Sequence, residues 1–353
     1  MSARPPHEVA TARTSRRGFF WIPGEVIEFD GQTVQRGPAF VAWEAPAEPT
    51  DLLPVILIHG GGGQGTEWMQ TPDGRPGWAP LLVDLGHPVY VIDRPGYGRS
   101  PGDPNLTGPT TPPFGYGAAR WLFADDATYD RHDAWPWNRV PGDPEFDSVV
   151  AASAPLNLDT ALMNRLDGDR LVDLLDIVGR SVIVAASAGG PGGYVATDRR
   201  PDLVAAFVGI ETLAPAFKNL GPRGRLDWGL AAAPLTYDPP AASSAELAVE
   251  ELAPADANPA GNAFVLQVEP ARRLVNIARV PVGIFSTDTS QRHLDDEYAV
   301  AFLRQAGVDA EQIRFADHGV TGSGHGVMVE TTNVRALRVV LDWLSARLPG
   351  EVG

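Results

Sequence analysis

Ser187 follows four apolar residues and two alanines and precedes a cluster of glycines, in Val182-Ile183-Val184-Ala185-Ala186-Ser187-Ala188-Gly189-Gly190. A serine hydroxyl is a poor nucleophile until a base takes its proton and an acid orients that base. The strand-to-helix turn that presents such a serine forces it to positive φ, so the residues two positions away must be small. Ala185 and Gly189 meet that demand, with Ala185 replacing the first glycine of the usual G-x-S-x-G. A glycine-rich loop with a bystander serine would read similarly, so the partners decide.

An oxyanion needs backbone N–H donors within about 3 Å, and glycines let the chain come that close. His59-Gly60-Gly61-Gly62-Gly63 follows an apolar run early in the chain. The spacing predicts an oxyanion hole from the amides of Ala188 and of Gly61 or Gly62. A phosphate loop would end in Lys-Ser/Thr, which is missing here. His59 itself is expected to be structural.

A base is offered by Gly322-Ser323-Gly324-His325-Gly326, whose glycines let the imidazole reach toward Ser187. His318 is a rival, and His318, His325 and Asp317 would be the alternative as a metal site, without the spacing such a site favours. For the acid, Glu211 ends an apolar run, where a lone charge is costly. Asp288 follows the next run. The order serine, acid, histidine holds for both, and residue chemistry alone leaves them even.

These residues must be carried by elements of the right kind. The apolar runs Val55–Ile58, Val89–Ile92, Val182–Val184, Ala205–Ile210 and Val282–Phe285, with a weaker run at Ile313–Phe315, predict buried strands. Helical patterns lie between them. Leu171, Leu174, Leu175 and Val178 recur at helical spacing before Gly179, and Val334, Leu337, Leu341, Leu344 and Leu348 mark a last helix that Thr331 or Thr332 would cap. Alternating strands and helices imply an α/β fold with a mainly parallel sheet covered on both faces. Val26–Val34 and Ala39–Trp43, broken by Asp30-Gly31 and Gly37-Pro38, predict an antiparallel start. Ligands bind beyond the carboxyl ends of such strands, which is where every residue above falls.

The expected organisation is a loose arm over 1–20, a core from 21–100, 159–213 and 276–350, and lid insertions at 101–158 and 214–275. The second insertion shows a short helical pattern from Ala245 to Leu252. Trp121, Phe123, Trp135, Trp137, Phe217, Trp228 and Tyr237 would line a pocket or pack the insertions down, and Trp68 and Trp78 are expected to be structural.

The formal net charge of −16 argues against nucleic acid and favours an uncharged or cationic substrate, although a basic pocket can hide in an acidic surface. With no cysteine, thiol chemistry is excluded and a reducing cytoplasm is expected. Ser15-Arg16-Arg17-Gly18-Phe19-Phe20 superficially resembles a twin-arginine signal, but Pro23 and Gly24 break the apolar stretch too soon. No run approaches the roughly 20 apolar residues of a membrane span.

The chain resembles a group of bacterial α/β-hydrolase esterases. The matching segments are "IHGGGGQGTEWMQTPDGRPGW", "VYVIDRPGYGRSP", "GDPEFD", "WGLAAAPLTYDPP" and "GVTGSGHGVMVE", which together span nearly the whole chain. The resemblance implies the α/β-hydrolase fold, ester hydrolysis without metal or organic cofactor, and a glutamate acid at the end of the strand after the nucleophile, which maps onto Glu211. Two departures stand out: Ala186 and Ala188 replace the usual His and Gln around the nucleophile, and the cysteines of exported members are missing.

The expected activity is therefore a serine hydrolase cleaving carboxylic esters through Ser187, His325 and Glu211, with Asp288 the alternative acid. Acyl transfer, or lactone or C–C bond hydrolysis, would use the same triad, and a silent binding protein on this scaffold is the remaining alternative. The expected partner is a small-molecule ester, with neither nucleic acid nor membrane, for a monomer or homodimer.

Overall fold

A computed structural model describes residues 12–254, 263–290 and 292–353. Its centre is an eight-stranded sheet. In chain order its strands are β1 (Ser15–Ile22), β4 (Ala39–Pro46), β5 (Val55–Ile58), β6 (Val89–Asp93), β7 (Ser181–Ala186), β8 (Val204–Ile210), β9 (Val282–Ser286) and β10 (Ala310–Arg314). Between β1 and β4, β2 (Glu25–Phe29) and β3 (Gln32–Arg36) form a separate hairpin through Asp30 and Gly31, both at positive φ.

The sheet order is β1-β4-β6-β5-β7-β8-β9-β10. Strand β4 pairs antiparallel with both β1 and β6, and every pairing from β6 to β10 is parallel. Five of the expected runs are strands, the sixth falls on the end of β10 with Phe315 already in the following turn, and the mainly parallel sheet with an antiparallel start is as predicted.

Both faces are covered. Ile183 and Ala185 of β7 pack in one apolar cluster with Leu171, Leu174 and Leu175 of α4 (Thr160–Val178). Val182, Val184 and Ala186 enter the opposite cluster with Leu337, Leu341 and Leu344 of α7 (Asn333–Arg347). Burying one such side chain contributes about 1.5–3 kcal/mol, so this double-sided core can hold strained residues at strand ends. Helix α1 (Trp78–Asp84) joins the second cluster, while α5 (Gly190–Arg199) and α6 (His293–Gln305) contribute to the first.

Three expectations change. The proposed arm over 1–20 contains most of β1, because each residue from Ser15 to Ile22 has a partner in β4; residues 1–11 lie outside the described residues. The helix expected from Ala245 to Leu252 is a short turn followed by a strand, Val249–Leu252, which pairs antiparallel with the next described strand, Phe264–Gln267. Neither Thr331 nor Thr332 caps α7 through its hydroxyl: Thr331 Oγ1 donates to the Ala134 carbonyl, and Thr332 Oγ1 pairs with Ser323 Oγ.

The insertion 101–158 carries α2 (Tyr116–Phe123) and α3 (Pro144–Ala151), which lie over the carboxyl ends of the strands. In the second insertion, Phe217, Trp228 and Tyr237 are buried in the core and border neither of the two cavities at Ser187. Residues 255–262 of that insertion lie outside the described residues.

Candidate active site

Ser187 leaves β7 at φ 47° and leads into α5. That backbone costs about 1–3 kcal/mol for a residue with a side chain, and it is tolerated where surrounding structure over-determines it. The packing demands small neighbours. A Cβ on Gly189 would lie 2.6 Å from the His59 carbonyl oxygen, and one on Gly60 would lie 3.2 Å from Ser187 Cβ. Ala185 fits without a glycine because its methyl is fully buried in the first apolar cluster.

Glu211 follows β8 at φ 43° and is wholly buried. Its Oε2 lies 2.7 Å from His325 Nδ1, and its Oε1 accepts from the backbone N–H and the hydroxyl of Thr287. Burial pushes this carboxyl up, but the bond to His325 and those from Thr287 outweigh it and hold it below the usual carboxylate range. His325 is held below the usual histidine range, chiefly by burial and by the nearby Arg292 charge, with Glu211 opposing. Its imidazole is therefore neutral near pH 7 and able to accept a proton.

Asp288 takes a different place. Its two oxygens accept from the backbone N–H groups of Gly322 and Ser323, each at 3.0 Å. It anchors the loop that carries His325 without touching the imidazole. The next amide, Gly324 N–H, donates to Glu330, whose Oε1 also pairs with His132 Nε2 at 2.8 Å. Arg75 donates to the Glu330 carbonyl and to Asn333, so the T-P-D-G-R-P-G-W segment braces the same loop. Trp78 Nε1 donates to the Asn333 carbonyl, and Trp68 packs beside it.

Ser187 and His325 border one cavity of about 460 Å³, walled by Met69, Phe114, Leu122, Phe123, Val149 and Met328. No hydrogen bond joins Ser187 Oγ to the imidazole; such bonds are often long until substrate is bound. Gly61 lines this cavity and a second one beside Ser187, and a Cβ placed on it would lie 3.0 Å from Ala188 Cβ. The amides of Gly61 and Ala188 thus belong to adjacent residues on the serine's flank. Gly62 borders neither cavity.

His59 is structural: its Nδ1 bonds the Gly60 carbonyl and its Nε2 accepts from Arg94 N–H. Burial, with the Arg94 charge, pushes it down to about 3, so it stays neutral. Asp317 and His318 are exposed and border neither cavity. Among the described residues no group of three or more His, Asp or Glu is arranged to hold a metal.

Several contributors escaped sequence reasoning. Glu67 accepts the Gly60 amide at 3.1 Å and lines the first cavity, and burial pushes its carboxyl up to about 7. Arg94 donates to the Ala188 carbonyl at 2.5 Å and stands 3.6 Å from buried Asp167. The only local signal was the charged pair Asp93-Arg94 at the end of β6.

Residues 54–231 match the family model described as alpha/beta hydrolase fold. The chain is 32% identical over 334 residues to "Probable secreted lipase phiG" of Fungal sp. (strain ATCC 74256), covering 92% of this chain and 88% of that one. A solved structure titled as that of a novel bacterial esterase superposes with TM-score 0.65 at 19% identity, covering 96% of this chain and 98% of the other. With strand order and sequence relationship in agreement, the chain belongs to the alpha/beta hydrolase fold family.

Proposed function

We propose that this chain is a serine hydrolase that cleaves carboxylic esters through an acyl-enzyme. The carrying observation is the 2.7 Å contact between Glu211 and His325 beside a cavity that also holds a strained serine. Ser187 Oγ attacks the ester carbonyl as its proton passes to His325 Nε2. Glu211 holds the Nδ1–H tautomer and stabilises the imidazolium. The amides of Ala188 and Gly61 take the oxyanion, each donor being worth about 10²–10³ in turnover. The proton then goes to the leaving alcohol, and water repeats the sequence on the acyl-enzyme.

The apolar walls of the first cavity support an apolar alcohol or acyl half, as does the fungal relative's description as a lipase. The lid of this proposed site is assigned to 101–158 and to the described part of 214–275, whose Leu220 and Arg223 border the second cavity. A reducing cytoplasm is proposed from the cysteine-free sequence, although the fungal relative is described as secreted; cell fractionation tests it.

The test of the activity is Ser187→Ala with p-nitrophenyl acetate. The variant should fold normally and lose turnover by a factor on the order of 10⁶. More than a tenth of wild-type turnover remaining in folded protein contradicts the reading and leaves a binding protein on a hydrolase scaffold.

A further inference from the structure

Two cavities meet at Ser187, and they differ in charge. The first borders His325 and is walled mainly by apolar side chains. The second, about 710 Å³, borders Ser187, Ala188 and Gly61 but not His325, and Lys218, Arg223 and Arg292 line it. Lys218 Nζ is matched by Asp295 Oδ2 at 3.1 Å. Among the described residues, neither Arg223 nor Arg292 has an ion-pair partner, and Arg292 Nε is buried without an acceptor.

The acids near Arg292 are committed elsewhere. Glu211 is bonded to His325 and Asp295 is matched by Lys218. Asp296 is held well above the usual range by burial and by the Glu211 charge, and it accepts from Ser286. Burial weakens the charged form of both arginines; the Arg292 charge adds to this at Arg223, while the carboxylates of Glu211, Asp296 and Asp295 partly offset it at Arg292. Two unmatched guanidinium groups beside a nucleophile, in a chain of net charge −16, are costly unless an anion joins them.

The position of His325 assigns the halves of the ester. The leaving oxygen must receive its proton from this imidazole, so the alcohol lies in the first cavity. The acyl half then runs past Ala188 and Gly61 into the second. Resting on the serine-esterase reading, we propose that the preferred substrates carry a carboxylate on the acyl half, bound by Arg223 and Arg292, and an apolar alcohol: half-esters of dicarboxylic acids. Ser187 Oγ bonds the ester carbon, the bond to the alcohol oxygen breaks, and that oxygen leaves with the proton held by His325. Water then cleaves the acyl-enzyme, giving the free dicarboxylate.

The test compares kcat/KM for mono-4-nitrophenyl adipate and 4-nitrophenyl hexanoate, which differ only at the end of the acyl chain. The adipate half-ester should be favoured at least about tenfold, and the ratio should fall about 10- to 100-fold in Arg223→Gln and in Arg292→Gln, the range for a lost hydrogen bond to a charged group. The ratio does not depend on the active fraction, and if Arg292→Gln fails to fold, Arg223→Gln decides. Moving the charge to the alcohol, as in 4-acetoxybenzoate against 4-methylphenyl acetate, should bring no preference. Equal or better use of hexanoate, an unchanged ratio in the variants, or a preference for the charged alcohol overturns the proposal. A wild-type protein that hydrolyses none of these esters overturns the esterase reading instead.

Discussion

Glu211 Oε2 lies 2.7 Å from His325 Nδ1, joining residues 114 positions apart in the chain. Asp288, on the adjoining strand end, holds the amides of Gly322 and Ser323. One carboxylate touches the imidazole and the other touches only the loop beneath it, so their removal should have different kinetic signatures.

Glu211→Gln keeps the shape but removes the charge and the tautomer control, and kcat should fall by about 10³–10⁴. Asp288→Asn leaves an acceptor for one loop amide, and its loss should stay within about tenfold, one hydrogen bond being worth roughly 1 kcal/mol. Steady-state kinetics on one ester checks both. The reverse pattern, with only Asp288→Asn collapsing, moves the acid to Asp288.

The pH profile follows from the direction of the His325 shift. Burial and the Arg292 charge lower its folded pKa below the ordinary 6.5, and the reaction needs the neutral base. Activity is thus retained as pH falls through 6.5 and is lost only further down. The acid limb of kcat/KM should have its midpoint below 6.5, and Arg292→Gln should move it upward. An acid limb centred above 7 is the outcome that breaks this assignment.

Glu67 offers a stability test. Burial raises its folded pKa to about 7, against an ordinary 4.5, so the folded chain binds the extra proton between those values. Its contribution is fully present below about pH 4.5 and is lost as pH rises through 7. Glu67→Gln keeps an acceptor for the Gly60 amide and cannot ionise. Its Tm relative to wild type should rise from pH 5 to about 7 and level off above that; a difference that stays flat from pH 5 to 8 rules out this ionisation.

Gly61→Val tests the oxyanion flank. Added atoms would meet Ala188 Cβ at 3.0 Å and Leu156 Cδ2 at 3.1 Å, shifting a loop whose amide is proposed to take developing charge. The expected loss in kcat is about 10²-fold or more with little change in Tm. Unaltered kcat in a folded variant removes Gly61 from the oxyanion hole.

The sheet was legible in the sequence because parallel strands buried on both faces read as continuous apolar runs. The strained strand-to-helix turn at Ser187 was legible from Ala185, Ser187 and Gly189, whose sizes are dictated by local backbone. Which carboxylate meets the imidazole was not, since Glu211 and Asp288 both follow strands, and only a through-space contact with His325 distinguishes them. The Asp288 and Glu330 bonds to the His325 loop escaped for the same reason, as did the charge of the second cavity. Arg223 and Arg292 come from segments whose convergence no local pattern encodes. The strand at Val249–Leu252 was mistaken for helix because its conformation is set by pairing with Phe264–Gln267, which the local pattern of Ala245–Leu252 does not encode.

The most direct measurement is intact-mass and peptide mapping after incubation with a fluorophosphonate, which reacts only with an activated hydroxyl. One adduct per chain should form on Ser187, and His325→Ala should slow its formation severely. Folded wild-type protein that stays unmodified, or carries its adduct on another residue, contradicts the proposal that His325 makes Ser187 a nucleophile.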